Sequence, residues 1–155
     1  MKKNDLVSLN GNVKIYLKDK NGKLKDFREV KNTVVVLGDA YVADQLSDRG
    51  VTRMGWMAIG SGTTAVTTTD TALVTEVDRN ALTGSYGIQG SGSDDNDVVF
   101  TGDWAAGDGT GTITEAGIFN ASSDGTMLAR TVFSAVTKAA ADTLQIVWTI
   151  TCGAS

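Results

Sequence analysis

From Thr143 to Cys152 the chain alternates without interruption. Leu144, Ile146, Trp148, Ile150 and Cys152 fall on one side; Thr143, Gln145, Val147, Thr149 and Thr151 fall on the other. A period of two belongs to an extended strand, whose successive side chains point to opposite faces. An apolar face of this kind must be buried against a second layer, so the chain is expected to fold as packed sheets. On this reading Cys152 is a small buried hydrophobe at the end of the apolar face.

The same grammar runs through most of the sequence. Val13, Ile15 and Leu17 alternate with Lys14, Tyr16 and Lys18, and Asn21-Gly22 supplies the left-handed conformations of a tight turn. Lys23 to Val30 then returns as the partner strand. The β-branched run from Asn32 to Leu37 reads as a strand ending at Gly38. A single helix is expected over Asp39 to Ser47, where Ala40, Ala43 and Ser47 share one side and Val42 and Leu46 an adjoining one. Further strands are expected over Met54–Ile59, Glu76–Gly84, Val98–Thr101, Thr112–Asn120 and Thr126–Phe133, with a Gly-, Ser- and Asp-rich loop from Ser85 to Asp97. Short strands joined by Gly-containing turns predict a mainly β fold, an antiparallel β-sandwich or barrel-like domain with one short helix. Residues 1–31 read as an N-terminal hairpin or arm, suited to contacting a partner, and residues 32–155 as the β-sandwich-like domain.

Composition narrows the chemistry. The 155 residues include no histidine, no proline and one cysteine. Histidine is the commonest general acid–base and metal ligand near neutral pH, and cysteine the usual soft ligand, so most familiar catalytic constellations are out of reach. The expectation is a non-enzyme. A formal charge of −4 argues against wrapping nucleic acid, which takes clustered Lys and Arg. Lys18, Lys20, Lys23 and Lys25 around Asn21-Gly22 read as the solvated rim of the hairpin. One cysteine allows no internal disulfide, which suits a reducing cytosol or a fold without covalent staples. Met1-Lys2-Lys3 is followed by polar residues rather than the apolar core of a signal peptide, and no run approaches membrane-spanning length. Asn120-Ala121-Ser122 matches a glycosylation sequon, taken here as coincidence.

Four places hold candidate chemistry. Ile59-Gly60-Ser61-Gly62-Thr63-Thr64 has the glycines of an anion cradle but no Gly-Lys-Ser/Thr and no helix after it, so it reads as a strand exit requiring positive φ. Asp94, Asp95 and Asp97 with Asn96, and separately Asp103 and Asp108, offer hard oxygen ligands without EF-hand spacing; the 94–97 segment reads as a solvated acidic loop, with calcium binding left open. Glu76 and Glu115 are a conceivable glycosidase pair, but no aromatic-lined sugar cleft accompanies them. Glu76, Arg79, Glu115 and Arg130 each interrupt an apolar or small-residue strand. Charges in such a context have to be paired if buried, and a cross-strand network joining either acid to either arginine would fix register between strands or subunits. No catalytic, cofactor-binding or metal-binding residue is expected.

The stretch from about Asn32 to Thr151 resembles a family of small structural proteins of tailed bacteriophages. The resemblance rests on Asn32-Thr33-Val34-Val35 with Gly38, Ala43 and Leu46, on Met57-Ala58-Ile59-Gly60-Ser61-Gly62-Thr63-Thr64, and on Thr69-Asp70-Thr71-Ala72-Leu73 with Glu76 and Arg79. It continues through Ile113-Thr114-Glu115-Ala116-Gly117-Ile118-Phe119-Asn120, Gly125-Thr126-Met127-Leu128-Ala129-Arg130 and Asp142-Thr143-Leu144. The resemblance implies a virion component made in the bacterial host cytoplasm, with no catalytic residues and no cofactor. It leads us to expect a capsid decoration, or cement, protein that contacts the major capsid protein or other virion proteins. Tail, collar or fibre-base protein is the alternative. A carbohydrate-binding module is a second one, resting on Trp56, Trp104 and Trp148, although Trp56 and Trp148 lie in apolar strand context that favours core packing. A homo-oligomer, with a trimer favoured, is expected from the symmetry of virion sites; neither nucleic acid nor membrane is expected as partner.

Overall fold

The computed structural model describes residues 7–154. Ten strands and one helix follow in the order β1 (Val7–Lys18), β2 (Leu24–Lys31), β3 (Thr33–Val34), α1 (Val36–Leu46), β4 (Trp56–Gly60), β5 (Glu76–Ala81), β6 (Ile88–Gln89), β7 (Asp97–Trp104), β8 (Gly111–Phe119), β9 (Met127–Lys138) and β10 (Thr143–Ala154). They form two antiparallel sheets of five strands, ordered β2-β1-β10-β7-β6 and β3-β9-β8-β4-β5. The fold is therefore the antiparallel β-sandwich with one short helix that the alternation predicts.

The core lies between the sheets. β10 contributes Leu144, Ile146, Trp148 and Ile150, β1 contributes Val13, Ile15 and Leu17, and the opposite sheet answers with Met57, Ile59, Ile113, Ala116 and Ile118. Their neighbours along each strand point to the opposite face of its sheet. The alternation on β10 fails at one place. Cys152 is exposed, since β10 runs past the packed region into the open end of the sandwich.

Of the N-terminal hairpin expected over residues 1–31, residues 1–6 lie outside the described residues and residues 7–31 are woven into the sandwich. β1 sits between β2 and β10, pairing with β10 over twelve positions from Val7↔Ala154 to Lys18↔Thr143. Its turn closes with Gly22 at φ 79° and the Gly22 N–H donating to the Asp19 carbonyl. β2 is a sheet edge, but Arg28 reaches across to the other sheet. It donates to Ser134 Oγ at 2.8 Å, where Phe133–Ala135 bulge out of β9 opposite Thr114. Lys25, one of the lysines assigned to the solvated rim, pairs with Asp142 at 2.6 Å.

The run Asn32–Leu37 does not continue as a strand. Only Thr33 and Val34 pair with β9, and α1 begins at Val36, three residues before the expected start. The reason is the approach of α1 to β9. A Cβ on Gly38 would stand 2.2 Å from the Leu128 carbonyl oxygen, so glycine lets the first turn of the helix rest on that strand. Tertiary packing here overrides the strand preference of three consecutive valines. The loop expected from Ser85 to Asp97 contains the two-residue strand β6 and a single 3-10 turn at Gly92–Asp94. β9 runs on to Lys138, five residues beyond its expected end.

Candidate functional site

The long connection between β4 and β5 folds back over the outer face of its own sheet. Beneath it lies a second apolar cluster of Val35, Ala58, Leu73, Phe119 and Met127, with Trp56 half-buried at its side. Inside this covered face sits a carboxylate. Glu115, on β8, is fully buried, and Arg130, on β9, is 1% exposed. Glu115 faces Val132 in the strand register, and Arg130 lies two residues away on the same face, so the two side chains meet on the diagonal of the ladder. Arg130 Nε and Nη2 donate to Glu115 Oε2 at 3.0 and 2.8 Å.

The remaining lone pairs of Glu115 face the connection. Its Oε1 accepts the backbone N–H groups of Gly62 at 2.9 Å and Thr75 at 2.8 Å, and Oε2 accepts that of Val74 at 3.1 Å. Arg130 reaches the same segment through Nη1 to Asp70 at 2.8 Å and Nη2 to the Thr64 carbonyl at 3.1 Å. Thr114 Oγ1 donates to the Gly62 carbonyl at 2.8 Å. One ion pair thus holds both ends and the middle of the connection down on the sheet.

This accounts for the glycines of the cradle-like motif. The expected positive φ is absent at Gly60 and Gly62. A Cβ on Gly62 would lie 2.4 Å from Glu115 Oε1, and one on Gly60 would lie 2.6 Å from the same atom. These residues are glycine so that a carboxylate can approach the backbone. The anion held by the motif is the protein's own Glu115.

Electrostatics agree with the geometry. Burial by itself would raise the pKa of Glu115, but the hydrogen bonds from Thr75, Val74, Arg130 and Gly62 outweigh it and hold the group below its ordinary value. Asp70 behaves alike: burial pushes it up, while Thr67 and Arg130 together bring it below the usual carboxylate range. A carboxylate accepting five hydrogen bonds has no free lone pair with which to take a proton from a substrate, and serves as a brace.

The four charged residues singled out in the sequence form two separate pairs within one chain. Arg79 pairs with Glu76 in a two-pronged contact at 2.9 and 2.6 Å, three residues away on β5. Its guanidinium lies 3.8 Å above the Phe119 ring and donates to the carbonyls of Ala121 and Asp124, tying β5 to the β8–β9 turn. Asp70, the third charge of the Arg130 centre, was not legible from its surroundings, because Thr67-Thr68-Thr69-Asp70 reads as any polar loop. Lys138 was also missed. It is buried, donates to the Ala105 carbonyl at 2.9 Å, and has its pKa pushed down by burial against the opposing pull of Asp108, Asp142 and Asp78.

Among the described residues no three or more Asp, Glu, Cys or His side chains gather to hold a metal ion, and Asp94, Asp95 and Asp97 do not converge. Trp104 and Trp148 are buried with their indole N–H groups unpartnered, which leaves half-buried Trp56 as the tryptophan nearest to solvent. No protein-family model, no curated protein and no solved structure matches the chain.

Proposed function

We propose that the chain is a non-catalytic structural protein of a tailed-bacteriophage particle, and within it a capsid decoration protein bound to the assembled head. The observation that supports this reading is where the resembling segments meet. The Gly60–Thr64, Asp70–Leu73, Glu115 and Arg130 pieces, distant in sequence, converge on one buried centre whose polar groups are spent on each other and on backbone. Such a centre stiffens a domain and leaves nothing aimed at a substrate. Trp104 and Trp148 are closed off from sugars, which weakens the carbohydrate-binding alternative.

The mechanism is associative. A homo-oligomer, with three copies as the favoured number, bridges neighbouring major-capsid subunits, and contacts available only on the assembled shell stabilise that shell by mass action. Edge strand β2, with Leu24 and Phe27 exposed, is the place in the N-terminal hairpin for such contacts. Heat-release curves of particles with and without the protein test this. Particles lacking it should assemble but release DNA at lower temperature. Equally robust heads with failed adsorption or tail completion would transfer the protein to the tail, and normal particles with normal infection would remove both locations.

A further inference from the structure

At the end of the sandwich where β1 begins and β10 ends, the sheets part and α1 covers the opening incompletely. A cleft of about 280 Å³ remains, walled by Leu9, Val42, Phe100, Leu128 and Ile150, with Cys152 among its lining residues. An apolar cavity of roughly 150 Å³ already holds benzene, so this one has room for a large aliphatic side chain. Next to it stands a candidate for that place. Leu46, the last residue of α1, is 86% exposed, more than any other large hydrophobic among the described residues. Val42 and Leu46 are one helical turn apart, so knob and hole are neighbours on one surface. Tyr86, 45% exposed, lines the same cleft. An open apolar cleft beside an exposed leucine is a feature of interaction sites.

Charge supports the same occupant. Asp44 and Asp48 bracket Leu46; Asp44 is met by Arg49 of its own chain at 3.6 Å, which leaves Asp48 as the acid beside the leucine. Arg53 lines the cleft with its guanidinium 4.4 Å from the centre of the Tyr86 ring. We propose that Leu46 of one copy seats in the cleft of a second copy, with Asp48 facing that copy's Arg53. Knob and hole lie side by side, so a rotation axis passing beside the C-terminal end of α1 lets each copy give its leucine and receive another. A small closed ring then leaves no Leu46 exposed. The inference rests on the reading above only for the expectation of a homo-oligomer. It concerns a contact measurable without particles, so its failure and that of the head assignment are separate outcomes.

Sedimentation of the purified chain at concentrations up to about 100 µM should show a closed oligomer. Leu46→Asp should weaken association at least about tenfold, with the melting temperature unchanged at concentrations where both proteins are monomeric, because the side chain packs against little in its own chain. Arg53→Glu should weaken it by less. In Leu46→Cys, oxidised glutathione should produce an intermolecular disulfide to Cys152 of the neighbouring copy, lost when Cys152→Ser is added. A monomer throughout the concentration range would overturn the proposal. So would an oligomer indifferent to Leu46→Asp, or a cross-link that does not need Cys152.

Discussion

The space between the sheets and the outer face of the β3-β9-β8-β4-β5 sheet are both closed to water, by different means. Between the sheets, closure comes from shape: Trp148, Ile146, Ile15 and Ile118 interdigitate and need nothing of one another but volume. On the outer face it comes from valence, with Glu115 and Arg130 fastening a connection whose own apolar contribution includes Leu73. The first kind of burial tolerates a change of shape poorly. The second tolerates a change of charge poorly, because a carboxylate or guanidinium left without its partner keeps its desolvation penalty.

Substitutions can separate the two. Trp148→Ala should have the largest effect, about 3–5 kcal/mol, and should lower the urea midpoint of the whole domain in one cooperative step. Glu115→Gln should cost less, about 1.5–3 kcal/mol, because the amide retains an acceptor but sets a donor against backbone N–H groups. Its signature is local: hydrogen exchange should quicken at the amides of Gly62, Val74 and Thr75 before it does at β10. Equal protection at those amides in the variant and the parent would mean that the brace is dispensable.

Acid should act first on the braced face and on the Lys25–Asp142 pair. Glu115, Asp70 and Asp142 all have folded-state pKa values below the ordinary value, Asp142 chiefly through its hydrogen bonds from Lys25 and Ala139. Groups shifted that way stabilise the fold above the unfolded pKa near 4, and the contribution is lost as pH falls through the lowered values. Urea midpoints should therefore be flat around neutrality and fall below about pH 4, with a shallower acid limb in Glu115→Gln. Lys138, whose pKa is also lowered, acts at the other end: stability should rise as pH climbs from its folded value towards its ordinary one near 10.4. Glu76→Gln should have the smallest effect, under about 1 kcal/mol, because that carboxylate is partly solvated. A larger loss would place the Arg79 pair with the buried brace.

How much could be read from the sequence follows the same division. Leu144 to Ile150 declared its buried face because a strand repeats every two residues, and Asn21-Gly22 declared its turn because few residues accept that backbone. The charged residues could be recognised as needing partners, since Glu115 and Arg130 stand among small and apolar neighbours. Their pairing could not be read, because the meeting of Glu115 with Gly62 and of Arg130 with Asp70 depends on how a connection between two strands folds back. Gly38 was misread for a related reason. A glycine after three valines looks like the end of a strand, and only the nearby Leu128 carbonyl reveals it as the seat of a helix. Cys152 continued a pattern that was correct for four preceding inward residues and failed where the second layer ended.

The ladder between β1 and β10 also has a consequence in time. Its pairs join Val7 with Ala154 and Lys18 with Thr143, so every residue of β1 is paired with one made much later. Until β10 emerges, β1 can pair only with β2 and has no partner on its other edge. Closing so long a loop carries an entropic cost before any contact rewards it, which places this chain among the slower-folding topologies. During synthesis the nascent chain must therefore carry unpaired the edge of β1 that ends against β10, and crowding of unfinished chains at that stage would favour pairing between molecules.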